Sequence, residues 1–89
     1  MKYALTYRKS VKKDVKILPK SILLRIERVI LALRINPYPN NATKLKGYIN
    51  HYRVRYSSYR IIYAIHKEKK QIRILKIGHR KDIYVKMNS

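Results

Sequence analysis

Residues 51–66 read His51-Tyr52-Arg53-Val54-Arg55-Tyr56-Ser57-Ser58-Tyr59-Arg60-Ile61-Ile62-Tyr63-Ala64-Ile65-His66. Two strands are predicted around this stretch, over 48–56 and 59–66, with Ser57-Ser58 as the tight turn. So short a turn implies antiparallel pairing. The second strand is apolar on both faces, with Tyr59, Ile61, Tyr63 and Ile65 against Ile62 and Ala64, which predicts a central place in a sheet. The first strand is different. Alternate side chains leave a strand by opposite faces, so His51, Arg53 and Arg55 share one face. A solvated strand face usually mixes charge signs, and this one carries only cations, which suggests that a polyanion sits there. The plainer readings are a solvated sheet face or a patch that meets an acidic partner protein.

A third strand is predicted over 71–77, after the charged turn His66-Lys67-Glu68-Lys69-Lys70. On the other side, Asn36-Pro37-Tyr38-Pro39-Asn40-Asn41 ends a helix and makes a loop, because proline bars helix continuation. Lys44-Leu45-Lys46-Gly47 then leads into the strands. The helix before the loop places Ile22, Ile26, Val29, Ile30 and Leu33 on one stripe. Leu23, Leu24 and Leu31 widen it, which predicts a well-buried helix. A shorter helix is predicted before it, with Ser10 as N-cap and Val11, Val15 and Leu18 at helical spacing. Pro19 separates the two as a break or a new first turn. Tyr3-Ala4-Leu5-Thr6-Tyr7 alternates like a short strand. The order is β-α-α-β-β-β with a C-terminal turn or helix around Lys81–Lys86, an α+β class in a single domain over 1–89.

Net charge is the extreme quantity: 23 Lys and Arg against 4 Asp and Glu, or +19. Residues 1–43 hold ten basic and two acidic residues, and 44–89 hold thirteen and two. Charge spread in this way implies a cationic surface and not a basic arm. Such a surface attracts polyanions at rates that fall with salt. With no cysteine, disulfides, thiolate catalysis and Cys-based zinc sites are excluded. No apolar run approaches the ~20 residues of a membrane-spanning helix. Arg8, Lys9, Lys12 and Lys13 interrupt any leader-like run, so a cytoplasmic location without membrane contact is expected. Nine Tyr stand beside no Phe and no Trp. Tyr3, Tyr7, Tyr59 and Tyr63 are expected in the core, and Tyr52 and Tyr56 face away from the arginines. Tyr84 lies in a polar tail and can stack on a base or reach a phosphate.

Arg53, Arg55, Arg60 and Arg80 are the candidate phosphate contacts, since a guanidinium is a permanent five-donor fork that steadies developing negative charge. His51 lies on the arginine face, His66 at a turn and His79 beside Arg80. None makes a metal-ligand pair of usual spacing, and no metal or cofactor is expected. Cations near His79 would favour a neutral imidazole able to act as a base, while the plainer reading is a hydrogen-bonded structural histidine. The carboxylates are too few for a catalytic pair. Asp82 suits orienting Arg80 or His79, or capping the turn that follows. RNA cleavage fits these residues because the substrate's 2′-hydroxyl supplies the nucleophile.

In this order and spacing, Asn36-Pro37, Lys44-Leu45-Lys46-Gly47, Tyr52-Arg53-Val54-Arg55, Tyr59-Arg60-Ile61-Ile62-Tyr63 and Ile77-Gly78-His79-Arg80-Lys81-Asp82-Ile83-Tyr84 resemble the RelE/ParE toxin superfamily, most of all its RelE branch. The resemblance runs from about Tyr3 to Tyr84. It implies a twisted antiparallel sheet packed against the N-terminal helical hairpin, the RelE-like microbial RNase fold. It implies the toxin of a type II toxin–antitoxin system, a metal-independent endoribonuclease that cuts messenger RNA in the ribosomal A site. It implies a cognate acidic antitoxin that neutralises the toxin and alone brings it to operator DNA. On that reading Arg53, Arg55, Arg60, His79, Arg80 and Tyr84 form the catalytic set, and Lys44, Lys46, His51, Lys76 and Lys81 bind RNA. The first basic position is often Lys in ribosome-dependent relatives. Arg53 is a poor base, which moves the proton chemistry to His79, to Tyr84, or away from base catalysis. The alternative is a ParE-like toxin that inhibits DNA gyrase without nuclease activity.

Overall fold

The computed structural model describes residues 2–87, and side chains as far as Ile83. Its elements are β1 (Ala4–Tyr7), α1 (Val11–Lys16), α2 (Lys20–Ile35), β2 (Ala42–Lys44), β3 (His51–Tyr56), β4 (Tyr59–His66), β5 (Gln71–His79) and α3 (Arg80–Met87). The five strands make one sheet in the order β1-β5-β4-β3-β2. β4 is central as its two apolar faces require, and Ile61 to Ile65 are all buried. The β3–β4 hairpin pairs Tyr56 with Tyr59 around Ser57-Ser58, and Ser57 takes the left-handed φ of +54° that a two-residue hairpin turn demands.

Three features depart from the sequence reading. β1 pairs with β5 in parallel, with Leu5 opposite Ile72 and Tyr7 opposite Ile74, so one edge of the sheet is not antiparallel. The α1–α2 hairpin is the crossover that makes this possible. A short strand, β2, pairs Thr43 with Arg53 and Lys44 with Tyr52. It is too brief to carry a pattern. β3 starts at His51 rather than at residue 48, because Gly47 at φ +83° turns the chain and the Leu45 N–H donates to the His51 carbonyl.

The register of β5 slips between Ile62 and Tyr63 of β4, leaving Leu75 as an extra residue. A bulge of this kind resets which face each side chain takes. It puts Ile72, Ile74 and Ile77 together in the main core with Val54, Ile61, Tyr63, Ile26, Ile30 and Leu33. This core fills the space between the sheet and α1–α2. Tyr63 is its largest fully buried side chain, and its hydroxyl donates to the Pro37 carbonyl at 2.8 Å. Burial pushes that phenol far above its ordinary pKa.

Pro19 is the N-cap of α2, with an extended ψ of 144°, so it stands just before the first turn and separates the two helices. Ser10 holds the N-cap of α1 but makes no side-chain capping bond. The expectation that α2 is well buried holds for one face only. Ile26, Ile30 and Leu33 are covered, while Leu24 and Leu31 are each more than half exposed. One sheet covers one helical face, and no second layer lies over the other. Tyr7, expected in the core, is 48 % exposed at the sheet edge. No helix of the described residues is long and apolar enough to cross a membrane.

Candidate functional site

The second face of the sheet is the one that α1 and α2 leave uncovered. Residues paired across strands share a face, so register alone assigns its members. His51, Arg53 and Arg55 of β3 stand opposite Ala64, Ile62 and Arg60 of β4. Arg60, Ile62 and Ala64 in turn face Gly78, Lys76 and Arg73 of β5. No acidic residue is among them. A small apolar patch of Ile62, Ala64, Leu75 and Ile83, with Leu45 against it, divides the face. Ile83 comes from α3, which folds back over β5. A Cβ built on Gly78 would lie 3.4 Å from Ile83 Cγ1, so the bare glycine is where the helix seats.

The arginines gather at the β3–β4 turn. Arg55 and Arg60 are directly opposite, an arrangement of like charges that costs stability unless something offsets it. Arg60 is only 7 % exposed, and its Nη1 donates to the Ser57 and Tyr59 carbonyls at 3.1 and 3.0 Å. Its Nε is buried without a hydrogen-bond partner among the described residues. The Arg80 backbone N–H donates to the Ser58 carbonyl at 2.8 Å, which ties the start of α3 to the same turn. Arg55 and Arg80 themselves are exposed, and Arg53, opposite Ile62 of the apolar patch, is half-buried. The site therefore has a fixed buried cation, Arg60, with the exposed Arg55 directly across from it and the exposed Arg80 starting a helix tied to the same turn.

His79 is not part of this cluster. Register pairs it with Tyr59, and the two rings meet edge to face at 5.7 Å on the core side of the sheet. Its Nδ1 accepts the Lys81 N–H at 3.3 Å, so a neutral ring keeps its proton on Nε2 and presents a donor there. Lys81 and Asp82 are exposed in the first turn of α3, and the Tyr84 side chain lies outside the described residues. Of the other cations, Lys44 pairs with Tyr52 and so leaves by the core side, and Lys46 is exposed in the loop after β2. Lys76 is on the cationic face. It is ion-paired to Asp14 at 2.7 Å.

Asp14, a buried residue of α1, is not singled out by any pattern in the sequence. It is 5 % exposed, and its second oxygen accepts the Ile77 N–H at 3.1 Å. β1 stops covering the edge of β5 before this point, so the carboxylate satisfies a strand N–H that would otherwise be orphaned. Arg73 was also missed. It alternates with Ile72 and Ile74, but the bulge at Leu75 hides its kinship with Lys76 from any period-two reading.

His51 stands at the other end of β3, where its ring stacks on Tyr48 with centroids 4.7 Å apart. Desolvation, then the charges of Arg8 and His66, hold its pKa below the ordinary value. Among the described residues no three of His, Asp and Glu come together as a metal-ligating group.

Fold and site define a small α+β protein with a helix-covered apolar sheet face and an open cationic one. Residues 5–84 match the family described as the ParE toxin of the type II toxin–antitoxin system parDE. A curated protein of Methanocaldococcus jannaschii, named RelE1, is 36 % identical over 87 residues, covering 94 % of this chain and 97 % of that one. A chain in the crystal structure of the archaeal RelE–RelB complex from Pyrococcus horikoshii superposes with a TM-score of 0.79 at 33 % identity, over 90 % of this chain and 97 % of that one. A chain of the RelB–RelE antitoxin–toxin complex from Methanococcus jannaschii gives 0.74 at 31 %, over 89 % and 94 %. The chain belongs to the RelE/ParE superfamily of type II toxin–antitoxin toxins, and is RelE-like.

Proposed function

We propose that this protein is an endoribonuclease that cuts messenger RNA in the ribosomal A site and so stops translation. The observation that carries the proposal is that Arg53, Arg55 and Arg60 share one end of a sheet face whose strand residues include no acid, and that the start of α3, with Arg80, is tied to the same turn. In the reaction the ribose 2′-oxygen attacks the adjacent phosphorus. The 2′-O–P bond forms and the P–O5′ bond breaks, leaving a 2′,3′-cyclic phosphate and a 5′-hydroxyl. The 2′ proton passes to water, and the departing 5′-oxygen takes one up. Arg53, Arg55 and Arg80 hold the phosphate and stabilise the charge that grows on its oxygens, the term that usually contributes most to such a step. Arg60 acts from beneath, fixing the turn that aligns the others. His79, with Nδ1 engaged by Lys81, has no free acceptor nitrogen, so we assign it to positioning α3 and Arg80 rather than to taking the proton. Tyr84 is proposed to stack on a base, and Lys46 and Lys81 to meet RNA phosphates, while Lys44 leaves by the opposite face. No metal or cofactor enters this scheme.

The proposed partner in the resting cell is a cognate acidic antitoxin. Relatives crystallised as RelE–RelB complexes support it, as do the +19 charge and the uncovered apolar row Leu24, Leu31 and Ile35 on α2. Operator DNA is reached only through that antitoxin, and the site of action is the cytoplasm. Primer extension on messenger from a translation extract tests the nuclease reading. The protein should produce cuts on ribosome-bound messenger that Arg80→Ala does not. Intact messenger with folded wild-type protein would reject it.

The description of the matching family supports a second reading, a ParE-like toxin that inhibits DNA gyrase without cutting RNA. Supercoiling blocked at stoichiometric toxin, with translation untouched, would select it.

A further inference from the structure

The cationic face continues beyond the arginines into a cavity of about 280 Å³. Its floor is apolar, made by Ile62 of β4 and Leu75 at the bulge. Its rim carries Arg8, from the turn between β1 and α1, and Lys76. One wall is the Tyr48–His51 pair, with ring planes 27° apart. The volume is near the ~300 Å³ lower end for small-ligand sites, enough for one planar ring and little more. An apolar floor, an aromatic wall and cations confined to the rim match the parts of a single nucleotide, whose base is flat and whose phosphate stays at the edge.

The wall is preorganised. The loop that carries Tyr48 is closed by the Leu45 N–H on the His51 carbonyl at 2.9 Å, and Asn50 is bonded to Ile65 in both directions at 3.0 and 3.1 Å. Lys76 is held in place by Asp14, which occupies one of its three donors. His51, kept neutral by desolvation and by the charges of Arg8 and His66, offers both a donor and an acceptor to the edge of a base. His51 and Arg53 are two residues apart on one strand face, or about 7 Å. That is one nucleotide step of an extended single strand from the guanidinium cluster.

We infer that this cavity is a nucleobase subsite, in which Tyr48 and His51 stack and read the base of the nucleotide next to the one whose phosphate the arginines hold, while Arg8 and Lys76 meet its own phosphate. The inference rests on the reading of the protein as an RNA-cleaving toxin, but its binding chemistry is testable without cleavage. The probe is a 2′-deoxynucleoside 5′-monophosphate, which has no 2′-hydroxyl to react, titrated into the isotope-labelled full chain and followed by NMR.

Saturable shifts are expected at Tyr48 and His51. Tyr48→Ala should weaken binding about fivefold or more, the loss of one stacking contact, while Tyr48→Phe should bind like the wild type. Lys20→Ala, an exposed cation at the start of α2, should leave the titration unchanged. Tyr48 is exposed, so neither of its variants threatens the fold. Shifts that do not saturate, that fall only on the Arg53–Arg55–Arg80 end, or that inorganic phosphate reproduces in full would each overturn the subsite. A second arm maps cuts in a translation extract, where Tyr48→Ala should relax base preference beside the cut with Arg80 intact. If wild-type protein cuts nothing but the titration behaves as expected, the nuclease reading falls and the base subsite stands. If messenger is cut and the titration fails, the reverse holds.

Discussion

The two faces of the sheet are made by the same strands from alternate residues, yet they meet opposite requirements. On the helix side, Val54, Ile61, Tyr63, Ile72, Ile74 and Ile77 are almost wholly buried beneath α1 and α2. On the other, Arg53, Arg55, Arg60, Arg73 and Lys76 lie around a four-residue apolar patch to which α3 contributes Ile83 and against which Leu45 packs. The first face holds the molecule together. The second carries an excess of like charge, which one buried carboxylate, Asp14 on Lys76, offsets only in part, and such a surface attracts polyanions. The main core and the proposed RNA face are thus separated by a single residue step along each strand.

Truncation should expose this division most sharply in the core. Ile26→Ala, at a position with no exposure, should cost about 2–5 kcal/mol in chemical denaturation, a large part of a small domain's stability. A loss under ~1 kcal/mol would mean the helix side is not the main core. Arg80→Ala should do the reverse. Messenger cleavage should fall by about 10²–10³-fold while stability stays within ~0.5 kcal/mol, since the side chain is exposed. An equal fall in both measurements would erase the contrast between the faces.

Smaller effects refine the comparison. Gly78→Val should overpack against Ile83 at a cost of about 1–3 kcal/mol and loosen α3, read as faster amide exchange over 80–83, whereas Gly78→Ala needs only slight movement. Tyr63→Phe removes the donor to Pro37 and should cost about 1 kcal/mol, with the core otherwise intact. The least effect is a pH dependence on the cationic side. The His51 pKa is lowered in the folded chain, so the unfolded chain binds the proton more readily. Its contribution to stability is present above the unfolded value of about 6.5 and is lost as pH falls through the lower folded value. Urea midpoints at pH 8 and pH 5 should therefore differ less in His51→Gln than in the wild type.

Much of the site was legible because β3 and β4 are regular. Strict alternation gave His51, Arg53 and Arg55 one face, and a two-residue turn fixed Arg55 opposite Arg60. Asp14, Arg73, Arg8 and Tyr48 were not legible for a common reason. Each owes its place to a neighbour distant in sequence: Asp14 to the bare edge of β5, Arg73 to the bulge, Arg8 and Tyr48 to a cavity between two loops. His79 lies on the core side against Tyr59 although Arg80 follows it directly, because adjacency in sequence says nothing about which side of a strand end a ring takes.

The sequence by itself determined the central strand, the arginine row, the single apolar stripe of α2 and the excess of positive charge. These are set by periodicity and composition, which act within one element. Only the tertiary structure decided the parallel pairing of β1, the bulge at Leu75, the seat of α3 on Gly78 and the burial of Arg60 and Asp14. Those depend on which backbone donors and acceptors remain unmet after the elements pack, and no local pattern records that.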